Sequence, residues 1–408
     1  MPRRHCEDPA PPEIKRPRLP HLPEDPQAAA PGAQVGTSLL THFPVYRACV
    51  PDWDSCHAAP ESLRKPATYL KGIAAECLKR CSRGELVALS MFCRGRTYTF
   101  GSVCAGSDAP VLAVRAAAEA IREVCTSTFQ MVHQFSCDCD PKKQKFLKAA
   151  FSYDRSRGPK LFGDVKSLKD DDAYEFSRAP RARASVPRDP DGVIGGFPCK
   201  TVSACNENEA EDDSRTCVAD GTGQTGEVFH HILDYMDTLD TTKPLASCLP
   251  LSIFENVCRL ATPPKGKSVH ESNLATTMRL LADRGWHAQA AKLDPRCFAT
   301  PQSRARIYIP CVRVEFLDSL GVSKCDFYAR FNEFLGRFTC HGAAPLEDFL
   351  LAEDDPAVQG CIDRLGRSGV GASREDMPSG LVFNMQADMH DWNDQQHDVE
   401  QCADKTGW

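Results

Sequence analysis

The chain has 408 residues, enough for one large α/β domain with appendages or for two domains. Apolar residues make up 42%, which supports a sizeable core, and no apolar run reaches the roughly 18 residues a membrane helix needs, so no membrane partner is expected. The net charge of −6 is uneven: 341–408 hold 14 acidic and 4 basic residues, leaving 1–340 with 45 basic against 41 acidic.

Cysteine is abundant at 21, yet no Cys-x-x-Cys pair occurs. That spacing argues against zinc ribbons and thioredoxin-like motifs, so no metal is expected. The start Met-Pro-Arg-Arg lacks the apolar stretch of a secretory signal. Free thiols in a reducing compartment follow, most of them small core residues.

Residues 1–36 are rich in Pro and Ala without apolar periodicity and read as a disordered tail. Within them Lys15-Arg16-Pro17-Arg18 suits a nuclear localisation signal, the cytoplasm being the alternative. Residues 37–95 read as an accessory helical segment: Leu63–Cys81 has helical spacing, and Glu85–Cys93 fits a helix or a strand. From Thr97 strand-like and helical runs alternate: Tyr98–Val103, Val111–Cys125, Met131–Cys137 and Lys142–Phe151. Further strands are expected at Gly192–Gly195, Leu249–Phe254 and Arg306–Val312, and helices at Glu227–Leu239, Asn273–Arg284 and Cys325–Phe338. This alternation predicts an α/β fold, a mostly parallel sheet with helices on both faces and ligands at the carboxyl ends of the strands. Basic clusters at Lys142, Lys143, Lys145, Lys148 and at Arg178, Arg181, Arg183, Arg188 fit a phosphate backbone or a solvated surface.

Three segments carry chemistry. In Asp191-Gly-Val-Ile-Gly-Gly-Phe-Pro-Cys199 an apolar strand runs into two glycines, and Pro198 stiffens the approach to Cys199. A cysteine exposed there can act as a nucleophile. In Leu251-Ser-Ile-Phe-Glu255-Asn256-Val257 an apolar run ends in a carboxylate and an amide, and Glu255 is placed to hydrogen-bond a bound base. In Thr300-Pro-Gln302-Ser-Arg304-Ala-Arg306-Ile-Tyr-Ile309 period-two alternation puts Gln302, Arg304 and Arg306 on one strand face, a set suited to anion or base recognition.

In this order, the three segments resemble the cytosine-5 DNA methyltransferase family, with its Pro-Cys loop, Glu-Asn-Val and Gln-x-Arg-x-Arg strand; the resemblance covers about 98–312. It implies a Rossmann-like fold using S-adenosylmethionine, with a catalytic domain over 96–315 and a partial target-recognition or C-terminal region, acidic and loop-rich, over 316–408. Carried over residue by residue, it makes Cys199 the nucleophile toward carbon 6 of a flipped-out cytosine and Glu255 the group on the ring nitrogen. Arg306 then holds the base carbonyl, with Arg304, Gln302, Ser203 and Asn256 around the substrate. The family's cofactor loop reads Phe-x-Gly-x-Gly-Gly; here the matching run is Cys104-Ala105-Gly106-Ser107-Asp108-Ala109, keeping only Gly106. Asp138 matches the acid on the cofactor ribose, with Asp140 as runner-up; Asp164 in Gly-Asp-Val matches the contact to the adenine amino group, and Pro198 lines the same pocket.

Departures are specific. Lys200 stands where the family has Gln, and the segment 206–226, with Gly221, Gly223 and Gly226, fits the mobile loop that closes over the base. The closing Gly-Asn motif is not found, which predicts a truncated or divergent member with weak cofactor binding. RNA is the alternative substrate, although the Cys-Phe-Thr signature of the tRNA-modifying relative is not found. A non-catalytic DNA-binding relative and an unrelated nucleotide-binding α/β protein are the other readings.

Overall fold

The computed structural model describes residues 46–47, 69–151, 158–177, 182–203, 213–298, 300, 302–339 and 359. In chain order the strands and helices are β1 (Tyr46–Arg47), α1 (Tyr69–Lys79), α2 (Arg83–Cys93), β2 (Thr97–Val103), α3 (Ala109–Cys125), β3 (Gln130–Cys137), α4 (Pro141–Phe151) and β4 (Lys160–Phe162). Then come β5 (Asp172–Glu175), β6 (Ala182–Ser185), β7 (Gly192–Gly196), α5 (Asp213–Asp220), α6 (Gly223–Met236) and β8 (Leu251–Val257). The last are α7 (Asn273–Ala282), β9 (Trp286–Ala288), β10 (Ala291–Leu293), β11 (Arg306–Arg313), α8 (Val314–Ser319) and α9 (Lys324–Phe338).

The strands form one sheet in the order β1-β10-β11-β8-β7-β2-β3-β4-β5-β6, with β9 paired to β11. The five central strands, β8 to β4, run parallel. Both flanks are antiparallel: β11 against β8 on one side, and the β4–β5–β6 meander on the other. The mostly parallel sheet expected from sequence is thus its centre, with β1 adding a short parallel pairing beside β10 at one edge. Six of the strands, β1, β4, β5, β6, β9 and β10, have four residues or fewer, too short to show a period.

Helices cover both faces because neighbouring strand residues point to opposite sides. Val193 packs with Phe229, Ile232 and Leu233 of α6 and Met278 of α7. Ile194, the next residue, packs with Phe100, Val111 and Ala118, under α3. Local signals start the helices. Ser82 accepts the Glu85 N–H at 3.3 Å while Glu85 accepts the Ser82 N–H at 2.7 Å, a capping box that makes 83–93 a helix rather than a strand. Ser272 and Ser323 cap α7 and α9 in the same way from one side.

The sheet order reverses at β2. The chain proceeds from β2 to β3 and β4 on one side, then returns to β7 and β8 on the other. A crevice opens at such a switch point beyond the carboxyl ends of the strands. The loops after β2 and β7 flank it.

Of the segment 37–95, α1 and α2 are described and rest on α3, where Lys71 pairs with Glu123 at 2.7 Å. The tail 1–36 and nearly all of 340–408 lie outside the described residues. No described helix is long and apolar enough to cross a membrane.

Candidate active site

The loop that carries Cys199 is shaped by close approach. A Cβ on Gly195 would stand 2.0 Å from the Val103 carbonyl oxygen, and one on Gly196 would stand 2.8 Å from Glu255 Oε2. Glycine at both positions lets β7 lie tight between β2 and β8. Phe197 is buried against Phe229, ring centroids 4.8 Å apart. The chain then turns at Cys199, whose carbonyl accepts the N–H groups of Val202 and Ser203 at 3.0 and 2.8 Å. Thr201 and Thr225 exchange N–H to hydroxyl bonds at 3.3 and 3.2 Å, fastening the loop to α6.

Glu255 is the register partner of Gly196 on β7 and of Tyr308 on β11. Its Oε1 lies 3.1 Å from Arg306 Nε, and Arg306 also donates to the Ala305 carbonyl at 2.9 Å. Burial raises the Glu255 carboxyl above the usual carboxylate range, opposed by Arg306 and Arg304. Burial likewise raises the Cys199 thiol; Arg306 pulls it down, Glu255 pushes it up, and Arg304 pulls it down again. Burial lowers the Arg304 guanidinium, Arg306 lowers it further, and Glu255 and Cys199 oppose the shift. Cys199, Glu255, Arg304 and Arg306 thus form one electrostatic cluster. A half-buried thiol that rests protonated sits there beside two guanidiniums able to stabilise its anion.

The second loop of interest, 104–108, follows β2. Cys104, Gly106 and Asp108 have φ of 51°, 57° and 55°. The Ala105 N–H binds the Cys137 carbonyl at 3.0 Å, and Gly106 N–H binds Asp138 Oδ2 at 2.8 Å. Asp138 Oδ1 accepts the Asp140 N–H at 2.9 Å, and Lys143 Nζ lies 3.9 Å from Oδ2. Burial, then the Asp138 charge, pushes the Cys104 thiol up to about 12, so it is neutral and inert. Asp164 is exposed just past β4 and caps the 3-10 turn Val165–Lys169 through the Lys166 N–H at 3.0 Å.

Three expectations need correction. Asn256 does not join the Cys199–Glu255–Arg306 cluster. It alternates with Glu255 on β8, is 1% exposed, and spends its side chain on the Phe197 carbonyl at 3.0 Å and the Val257 N–H at 2.8 Å. It holds the loop that carries Cys199 instead. Gln302 and Arg304 are not on a strand with Arg306, since β11 begins only at Arg306. Arg304 still reaches the cluster, whereas Gln302 is exposed. The loop expected over 206–226 is helical from Asp213 as α5 and again from Gly223 as α6; 204–212 lie outside the described residues.

Sequence reasoning missed Tyr308 opposite Glu255 and Arg259, whose guanidinium reaches the Ser203 carbonyl at 3.4 Å. Tyr308 was legible as the next same-face residue after Arg306. Arg259 had no signal, because it follows its strand in a 3-10 turn.

The model of the C-5 cytosine-specific DNA methylase family matches residues 104–332. The DNA (cytosine-5-)-methyltransferase DMT5 of Cryptococcus neoformans var. grubii is 27% identical over 274 residues, 67% of this chain and 10% of that protein. The protein of the same name from Verticillium dahliae is 26% identical over 251 residues, 53% of this chain and 10% of that one. This chain therefore spans about a tenth of the length of these relatives. Among solved structures, the S. pombe Dnmt2 methyltransferase is 14% identical with a TM-score of 0.31, over 54% of this chain and 50% of that one.

Proposed function

Because the chain belongs to the C-5 cytosine-specific DNA methylase family, we propose that it transfers a methyl group from S-adenosylmethionine to carbon 5 of cytosine in DNA. The observation that carries this reading is the clustering of Cys199, Glu255 and Arg306 at the carboxyl ends of β7 and β8, next to the loop after β2. Catalysis is assigned to 96–315. In this reading α1 and α2 serve as an accessory brace on α3, and 316–408 as part of a target-recognition region. A DNA substrate implies a nuclear site of action, toward which Lys15-Arg16-Pro17-Arg18, outside the described residues, would direct the protein.

The residues present fit the cofactor. Nothing lies within 4 Å of where a Cβ on Gly106 would sit, so the loop opens onto free space. Each Asp138 oxygen takes one backbone N–H and keeps a lone pair for a ribose hydroxyl. Asp164 is exposed and available to the adenine amino group, and half-buried Pro198 is assigned to the same pocket. Bound there, S-adenosylmethionine supplies an electrophilic methyl group on a sulfonium centre. Among the described residues no group of three or more His, Cys, Asp or Glu could hold a metal ion.

The chain's own residues supply the rest. Carbon 5 of cytosine is a poor nucleophile in an aromatic, electron-poor ring. Addition of the Cys199 thiolate to carbon 6 breaks the conjugation and makes carbon 5 enamine-like. Arg306 and Arg304 favour the thiolate. Glu255, held in a raised pKa range, protonates the ring nitrogen as charge develops. Paired with Glu255, Arg306 also orients that carboxyl toward the base edge. Once carbon 5 carries the methyl group, its proton leaves and the Cys199 sulfur is expelled. Carbon 6 is shielded in a stacked duplex, so the base must leave the helix.

Tritiated methyl transfer from labelled cofactor to unmethylated DNA, hemimethylated DNA and tRNA tests this function. Label recovered as 5-methylcytosine in DNA supports it. Label in tRNA alone would make the chain an RNA methyltransferase. No label in any substrate, with cofactor bound, would favour a non-catalytic relative.

A further inference from the structure

Three of the five residues 104–108 are left-handed, at alternate positions, and two of these are not glycine. Cys104 and Asp108 account for two of the three non-glycine residues with positive φ among the described residues. A side chain resists this conformation because its Cβ crowds the following carbonyl. In the Phe-x-Gly-x-Gly-Gly pattern, Asp108 stands at the second glycine. Something must hold an aspartate where glycine would rest unaided, and such strain persists only when the surroundings over-determine it.

The surroundings are a buried polar chain. Asp108 and Ser136 are both fully buried, and the Ser136 hydroxyl donates to Asp108 Oδ2. His133 Nε2 lies 3.0 Å from Ser136 Oγ and 2.8 Å from the Phe135 carbonyl. A carbonyl only accepts, so Nε2 carries the proton and faces both oxygens as a donor. Burial lowers the His133 pKa to about 4, with Asp108 opposing the shift, so the ring stays neutral in this tautomer. The Asp108 backbone closes the loop as well: its N–H binds the Ala105 carbonyl at 2.7 Å, and its carbonyl accepts the Val111 N–H at 2.9 Å at the start of α3. Two residues after Ser136, just past β3, Asp138 holds Gly106. The loop is thus fastened to the end of β3 at two points.

We propose that Asp108, Ser136 and His133 are positioning residues that set the cofactor loop, replacing the conformational freedom of the missing glycine with a buried hydrogen-bond chain. None of the three needs to touch the cofactor. Their effect is to keep the loop in the shape that leaves Gly106 open and Asp138 in place. The proposal rests on reading 104–108 as the cofactor loop.

The test measures S-adenosylhomocysteine binding by calorimetry, cofactor KM and kcat, and hydrogen exchange of the 105–108 amides without ligand, all in the full chain. Ser136→Ala should weaken binding about tenfold, the usual scale for a lost buried hydrogen bond, and raise KM while leaving kcat within about twofold. It should also speed exchange of the loop amides. Asp108→Asn, which still accepts the hydroxyl and occupies the left-handed region at much the same cost as aspartate, should stay within about threefold of wild type. In an Asp108→Gly background Ser136→Ala should change nothing further, because glycine needs no tether. Unchanged exchange in Ser136→Ala overturns the network, as does an equal loss from Ser136→Ala in both backgrounds. If the wild type binds no cofactor but the exchange results hold, the cofactor reading fails and the network stands.

Discussion

Glu255 and Arg306 meet diagonally across the antiparallel β8–β11 pair, Oε1 to Nε at 3.1 Å, because the register sets Glu255 against Tyr308 and Arg306 against Val257. This pairing gives Arg306 two tasks: it restrains Glu255, and it lowers the Cys199 pKa that burial raises.

The signs of these effects predict a pH dependence. The Cys199 thiol lies above its ordinary value, so at neutral pH the thiolate is the minor form and adduct formation should rise with pH. Arg306 lowers that pKa, so Arg306→Ala should displace the rising limb to higher pH, while Arg306→Lys displaces it less. Glu255 raises it, so Glu255→Gln should move the limb to lower pH. Rates of covalent capture across pH 6–9.5 read this directly. Displacement in the same direction for both variants would show that the two charges do not act on the thiol as described.

Glu255→Gln should also cost about 10²–10⁴ in rate, the range for a general acid–base group. Affinity for S-adenosylhomocysteine should change little, since Glu255 lies at the end of β8 and not on the loop after β2. A loss confined to cofactor binding would put Glu255 in the other pocket.

Asp138→Ala should weaken cofactor binding by about 1.5–3 kcal/mol, the scale for a hydrogen bond to a charged group. Asp140→Ala should do less, because Asp138 holds Gly106 of the loop whereas the Asp140 Oδ1 accepts the Lys142 N–H at 2.8 Å at the start of α4. The reverse order in calorimetry would shift the ribose contact to Asp140.

Much of this was legible in the sequence, and the reasons are local. The strand at Arg306 and the helices ending at Cys125 and Phe338 announce themselves through long apolar periods. Cys199 announces itself through Gly195, Gly196 and Pro198, each with a geometric meaning of its own. The role of Asn256 was hidden, because adjacency in sequence puts it beside Glu255 whereas the pleat sends it to the opposite face. Arg304 was assigned to a strand by alternation that runs two residues past the true start of β11. The Asp108–Ser136–His133 chain could not be read, since its members come from two elements and meet only through tertiary packing.

Asn256→Leu should leave the Phe197 carbonyl without its side-chain donor, costing about 1–3 kcal/mol of stability. It should also lower kcat by loosening the loop that carries Cys199. Thermal unfolding and single-turnover rates check both. A fully active variant of unchanged stability would remove Asn256 from the account.

The central claim is that Cys199 bonds to carbon 6 of cytosine in DNA. Duplex DNA containing 5-fluorocytosine should trap the full chain with cofactor, because fluorine cannot leave carbon 5 as a cation. Peptide mapping of the adduct is the decisive measurement. The account predicts a DNA cross-link on the peptide bearing Cys199 and no cross-link in a folded Cys199→Ala variant. A cross-link on another cysteine, or capture by the alanine variant, would contradict it.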